Sequence, residues 1–265
     1  MKRVYLIIFL ILAGLSYLLI VLFTVKESSL ELARFRALVE SGGPCHENCL
    51  LNKEAYRQEL VMALKSDARF KKEVESLFLK VEDKENKQAS FNFKKELLKI
   101  IFLAEGRDNP PDFLIDYLLN SEAESELKAE IINLFISSSQ EPVLIDYYFS
   151  ILESTETEVL KRSALQALSN LSDKNIFTVK EIQRLKNLIL SAQDSLNFRV
   201  DLIFLLSDFF TFFPEEARSA LTAVYELTTE DIVKVFTAET LNNLGFMEFV
   251  APEASPQDWQ RYFNN

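Results

Sequence analysis

The chain has 265 residues, of which 48% are hydrophobic and 26% charged, enough to bury a large core. Its formal net charge of -11 disfavours general binding to nucleic acid, whose phosphates attract basic surfaces. With 5 Gly and 7 Pro, and little alternation of β-branched residues, the sequence predicts an almost entirely helical protein.

The first predicted element is an uncharged stretch from Val4 to Val25. As a helix it would measure about 33 Å, enough to cross the hydrocarbon core of a bilayer. The competing interpretation, a cleaved signal peptide, requires a shorter apolar region and a small-x-small site, which only Gly14 and Ser16 offer. We therefore predict a transmembrane anchor at residues 1–27 of a single-pass protein in a bacterial inner membrane.

The orientation of this anchor depends on flanking basic residues. Lys2 and Arg3 precede the stretch, and Lys26, Arg34 and Arg36 follow it, so the two sides are nearly balanced. Because short basic N-termini before a first span usually stay inside, we expect the bulk of the chain to be periplasmic.

Two cysteines follow in the segment SGGPCHENCLL. Cys45 and Cys49 are four residues apart at a predicted helix start, so their Cα atoms would lie about 6 Å apart, within disulfide range. A structural disulfide is our preferred prediction, and it agrees with a compartment outside the cytoplasm. Free thiols are one alternative, and a metal or redox site with His46 and Glu47 is another, although no second Cys or His cluster completes a tetrahedral shell. No cofactor is predicted.

The tetrapeptide LIDY occurs twice, at Leu114–Tyr117 and at Leu144–Tyr147. On a helix with about 100° per residue, the leucine, isoleucine and tyrosine share one arc and the aspartate points away from it. Asp116 and Asp146 are therefore predicted to be solvated outer-face residues, since neither has a nearby acid, base or nucleophile that would suggest catalysis.

A second pattern recurs in five segments. In it, a basic residue comes after an apolar one and precedes apolar residues three, six and seven positions later. The segments are FKKELLKII, LKAEIINLF, LKRSALQAL, FRVDLIFLL and VKVFTAETL. Their basic residues are Lys94, Lys128, Lys161, Arg199 and Lys234. The last segment is the weakest match, because Thr237 and Thr240 stand three and six positions after its basic residue. The spacing of roughly 35 residues is typical of stacked two-helix repeats.

One of these segments, VLKRSALQALSNL, resembles the second helix of a HEAT repeat. Lys161 occupies its basic position, and the small and apolar stripe is formed by Ala164, Ala167, Leu168 and Leu171. HEAT repeats usually carry an acidic residue six positions before the basic one. Glu122 is the only acidic residue at that offset in this chain, and Thr155 takes its place before Lys161. The resemblance covers residues 89–244 and implies an α-solenoid in which the second helices line the concave side.

The predicted fold class is thus all-α, a transmembrane helix followed by a HEAT-like α-solenoid of about five antiparallel pairs. The predicted pairs are 67–82 with 90–104, 111–120 with 124–137, 142–153 with 156–171, 179–191 with 194–211, and 214–226 with 230–243. The predicted regions are an anchor at 1–27, connecting helices with the cysteine pair at 28–88, the repeats at 89–244 and a tail with a short helix at 245–265. The run FFTFF, residues 209–213, is predicted to lie in a buried central helix, with an exposed docking patch as the alternative.

No catalytic motif is found in the sequence, so we expect a protein that is not an enzyme. We predict a membrane-anchored scaffold that binds other protein subunits of an envelope complex, such as a secretion, motility or assembly machine. The alternatives are an anchored receptor or chaperone that binds an extended peptide or lipid, and a thiol or metal sensor that uses Cys45 and Cys49. The predicted partner-binding residues form an accessible basic column, namely Lys128, Lys161, Arg162, Arg199 and Lys234.

Overall fold

The structure of the protein is a computed structural model that describes residues 32, 33, 35, 36, 47–80, 87–106, 111–119, 124–136, 141–174, 176–191 and 195–264. All regular elements in these ranges are helical and none is a strand. The prediction of an all-helical protein is confirmed for the described residues.

The helices agree with the predicted ones to within a few residues at most ends. The α-helices are α1 Glu47–Ser66, α2 Ala68–Lys80, α3 Lys87–Glu105, α4 Asp112–Leu119, α5 Ser125–Phe135, α6 Ile145–Glu153, α7 Glu158–Leu171, α8 Val179–Leu190, α9 Leu196–Asp208, α10 Pro214–Leu227, α11 Asp231–Asn243 and α12 Pro256–Asn264. Short 3-10 helices lie at Glu141–Leu144, Ser172–Lys174 and Phe209–Thr211.

The chain divides into two compact units, Met1–Asp116 and Tyr117–Asn265. In the first unit α3 packs against both α1 and α2. Phe70 and Phe78 of α2 and Phe93 of α3 are completely buried, so large aromatic side chains fill this core.

The second unit is a two-layered, solenoid-like stack. Helices α6, α8 and α10 follow one another in one layer, and α5, α7, α9 and α11 follow one another in the other. Each pair that is consecutive in sequence, α6 with α7, α8 with α9 and α10 with α11, packs across the layers. We call the outer surface of α5, α7, α9 and α11 the second-helix face.

Local sequence signals set several of these helix ends. Thr178 and Glu181 form a capping box at the start of α8, and Ser195 accepts a hydrogen bond from the backbone N–H of Phe198 at the start of α9. Gly245, with φ of +95°, ends α11 in the left-handed conformation that glycine adopts without strain. Local residues therefore fix where α8 and α9 begin and where α11 ends.

The two LIDY segments have the predicted orientation. Leu114 and Leu144 are buried, whereas Asp116 and Asp146 are exposed. The hydroxyl of Tyr147 also donates a hydrogen bond of 2.5 Å to the carbonyl oxygen of Leu118, just after the first LIDY. In both copies the leucine is therefore buried and the aspartate exposed.

The phenylalanine-rich run departs from its predicted helix. Helix α9 ends at Asp208, and the chain turns through Phe209–Thr211 before Pro214 begins α10. Proline disfavours a helical conformation in the residue before it, which prevents one continuous helix. Phe209 is completely buried, whereas Phe212 is only half-buried, so the prediction of a helix buried on several sides is wrong beyond Phe209.

The predicted transmembrane anchor and single-pass membrane localisation require correction. Within the described residues, no helix combines the length and apolar character that a bilayer crossing requires. The 20 residues of α1 and the 19 of α3 both include several charged side chains. The stretch Val4–Val25 itself lies outside the described residues. The predictions of an anchor and of a periplasmic location, which depended on it, are therefore withdrawn.

Candidate functional site

The repeated basic residue occupies the same backbone position in four second helices. In each, its N–H donates to the carbonyl oxygen of the residue four positions earlier, where the helix begins. The bonds are Lys128 to Glu124 at 3.0 Å, Lys161 to Thr157 at 3.0 Å, Arg199 to Ser195 at 3.1 Å and Lys234 to Glu230 at 3.1 Å. The sequence period therefore corresponds to one structural repeat.

Most of this basic column lies inside the protein rather than on its surface. Lys128, Lys161 and Arg199 are 4%, 9% and 3% exposed. Lys234 is half-buried, while Arg162 is exposed and binds Glu158 one turn earlier in α7. Lys128 and Arg199 therefore offer almost no surface to a partner, whereas Lys161 lines two surface openings. The basic residues do not form the continuous accessible column that the sequence predicted.

Aromatic and acidic groups accompany the buried cations. The Nζ atom of Lys161 lies 5.7 Å from the centre of the Phe198 ring, a cation–π arrangement. Arg199 donates from Nε to the Ile189 carbonyl oxygen and from Nη1 to the Glu230 carboxylate, both at 2.6 Å. These contacts connect successive repeats, so the basic column contributes to the stability of the stack.

Sequence reasoning missed Glu230 because it looked for acidic residues six positions before each basic residue. The acidic partner of Arg199 instead lies directly before α11, at the start of the next second helix. An acidic residue at a helix N-terminus is favourable in itself, because it faces the positive end of the helix dipole. This preference for acidic residues at helix N-termini is the sequence signal that could have identified Glu230.

The second-helix face carries a groove of about 440 Å³ between α7 and α9. Its walls combine apolar, acidic and neutral polar side chains with one basic side chain, all from the two helices. They are Arg162, Leu165, Gln166, Ser169, Asp201, Phe204, Leu205 and Asp208. Phe204 is 48% exposed and is the only aromatic residue among the exposed large hydrophobic side chains that the structure describes. The groove is an open, partly apolar part of this face.

The cost of burying the two groove carboxylates is only partly offset by nearby charges and hydrogen bonds. Burial raises the pKa of Asp201, and the nearby positive charge of Arg162 opposes this shift only in part. Burial likewise raises the pKa of Asp208, although its carboxylate accepts a hydrogen bond of 3.4 Å from the Ser169 hydroxyl. Arg162 is itself held by Glu158, through bonds of 2.6 and 2.9 Å. The groove is therefore acidic in character.

Beside the groove, the C-terminal helix α12 packs on α9 and α11. The rings of Trp259 and Tyr262 lie 6.2 and 5.3 Å from that of Phe236 in α11. Phe236 in turn meets Phe204 edge to face, with ring centres 6.0 Å apart. We call these four residues the aromatic cluster; it shows that this face can hold a helix through aromatic contacts.

The predicted cysteine site remains untested by the structure. Cys45 and His46 lie outside the described residues, and the side chain of Cys49 in α1 is also outside them. Among the side chains that are described, no group of three or more Cys, His, Asp or Glu residues could hold a metal ion. The disulfide, the free thiols and the sensor therefore stay predictions.

Comparison with known proteins adds no family to this description. No family model, no curated protein and no solved structure matches the chain.

Proposed function

We propose that the chain is a scaffold with HEAT-like repeats that binds another protein on its second-helix face. Stacked helix pairs present an extended surface, which is the usual basis of partner binding by helical-repeat proteins. The observation that carries the proposal is the groove between α7 and α9, in which Phe204 is 48% exposed. An aromatic side chain that is exposed in a groove can anchor a partner, because aromatic residues carry much of the binding energy of many interfaces.

Only two of the five predicted basic residues stay in the proposed binding surface. Arg162 lines the groove and is exposed, and it stays in the proposed binding surface. Lys234 is half-buried and stays as a possible contact, whereas Lys128, Lys161 and Arg199 are assigned to the support of the stack because they are buried. The alternative of lipid binding is not favoured, since Asp201 and Asp208 would repel anionic lipid groups.

Site-specific photocrosslinking tests the proposal. A photoreactive amino acid replaces Gln166 in the groove, and the matched control replaces Gln183, an exposed glutamine of α8 in the other layer. In cells that express the full chain from its native locus, we expect one defined crosslinked protein from position 166 and none from position 183. Mass spectrometry identifies the product. No defined product from position 166, or the same product from both positions, would contradict the proposed face.

A further inference from the structure

The groove beside Phe204 shows what chemistry a partner needs. The second-helix face already holds one helix, α12, through Trp259 and Tyr262 against Phe236. Phe204 belongs to the same aromatic cluster, meeting Phe236 at 6.0 Å with an interplanar angle of 83°. It is nevertheless 48% exposed and lines the neighbouring groove. The aromatic surface that binds α12 therefore continues past that helix.

The open part of this surface carries two carboxylates. Asp201 and Asp208 are two turns apart on α9, about 10 Å along its axis, with Phe204 between them. Both carboxyls have a raised pKa because burial disfavours their charged form. Arg162 on the opposite wall is paired with Glu158, so its charge is shared. A cation placed beside each carboxylate would stabilise its charged form.

We infer that the groove binds a helical segment of a partner protein that presents Lys or Arg side chains beside an aromatic ring. The cations lie between Asp201 and Asp208, and the ring meets the exposed edge of Phe204, as the ring of Phe236 meets it from the other side. Charge complementarity selects the partner, because the whole chain carries a net charge of -11 and repels acidic segments. The inference rests on the proposed scaffold function and specifies its partner.

The test uses the full chain and two labelled probe peptides. Both are alanine-based helical peptides of about 16 residues with one Trp; one carries three Lys on the Trp face and the other carries Glu at those positions. Fluorescence polarisation at low salt should show the lysine peptide binding at least about tenfold more tightly. Asp201→Asn combined with Asp208→Asn should weaken it about tenfold, and Phe204→Ala about fivefold.

Glu126→Gln is the matched control, since Glu126 is an exposed carboxylate of α5 on the same face but outside the groove lining. It should leave lysine-peptide binding unchanged. Equal affinity for the two peptides, or equal losses in the control and the aspartate variants, would overturn the inference. Self-association of the chain that the lysine peptide abolishes would show that a second copy fills the groove, and would also overturn it.

Failure of this inference can be told from failure of the proposed function. If position 166 crosslinks a defined partner but the crosslinked segment of that partner lacks basic residues, the scaffold stands and the inference falls. If position 166 yields no product, the scaffold itself falls.

Discussion

Arg199 and Glu230 join two successive repeats, with 2.6 Å between the guanidinium Nη1 and a carboxylate oxygen. The arginine side chain is 3% exposed and the glutamate 37%, so the pair reaches from the interior of the stack towards its edge. Since Arg199 also binds the carbonyl oxygen of Ile189, one side chain connects α8, α9 and the start of α11.

Replacing Arg199 by Ala should lower the free energy of unfolding by roughly 2–4 kcal/mol, because it leaves the Ile189 carbonyl without its donor and removes buried packing. The exposed Arg162 offers a matched control, whose replacement by Ala should cost less than about 0.5 kcal/mol. Urea denaturation followed by circular dichroism measures both. Equal midpoints for the two variants would show that Arg199 does not hold the stack together.

Tyr147→Phe should remove the hydrogen bond to Leu118 and cost about 1 kcal/mol. Burial raises the pKa of Tyr147 above its ordinary value of 10.0. The folded chain then holds the phenol proton where the unfolded chain has lost it, so stability falls as the pH rises above 10.0. Urea denaturation should show a smaller alkaline loss for Tyr147→Phe than for the wild type. Identical alkaline losses would exclude this linkage.

Asp201→Asn and Asp208→Asn should leave the protein at least as stable as the wild type near neutral pH, with any gain below about 1 kcal/mol because solvent screens half-exposed groups. Each carboxyl has a pKa raised above 3.8, so the folded chain holds the extra proton and stability falls as the pH rises through that window. The difference between the urea midpoints at about pH 4 and about pH 7 should therefore be smaller in the variants than in the wild type. A clear loss of stability at neutral pH would mark these aspartates as structural.

Arg184→Ala should lower the free energy of unfolding by about 1–2 kcal/mol, since its guanidinium contacts three groups of α6. It binds Glu153 at 2.6 Å and Asp146 at 2.9 Å, and lies 4.5 Å from the Phe149 ring centre. Lys180, 65% exposed and 3.3 Å from the same Asp146, is the control and should cost less than about 0.5 kcal/mol as Ala. Thermal unfolding of the two variants measures the difference, and a larger loss at Lys180 would refute it.

The helices could be predicted because their determinants are local. The apolar period, Ser195, Thr178 and Pro214 lie within a few residues of the ends that they set. The burial of Lys161 could also have been predicted, since Ala164 and Leu168, three and seven positions later, are buried on the same helical stripe. A basic residue on that stripe points inward with it.

The groove could be predicted only in part. Asp201, Phe204 and Asp208 lie at positions i, i+3 and i+7 of α9, which places them on one side of that helix from sequence alone. The opposite wall comes from α7, more than thirty residues earlier, and only stacking brings Arg162 and Ser169 to face them. The pairing of Arg199 with Glu230 likewise depends on stacking, because Glu230 belongs to the next repeat.

The docking of α12 gives the protein an internal optical reporter. Trp259 is the single tryptophan among the 265 residues, and its ring lies against Phe236 and Tyr262. Detachment of the helix would move this indole from aromatic packing into water and shift its emission to longer wavelength. Release of the C-terminal helix can thus be followed in the unlabelled protein, separately from the unfolding of the repeats beneath it.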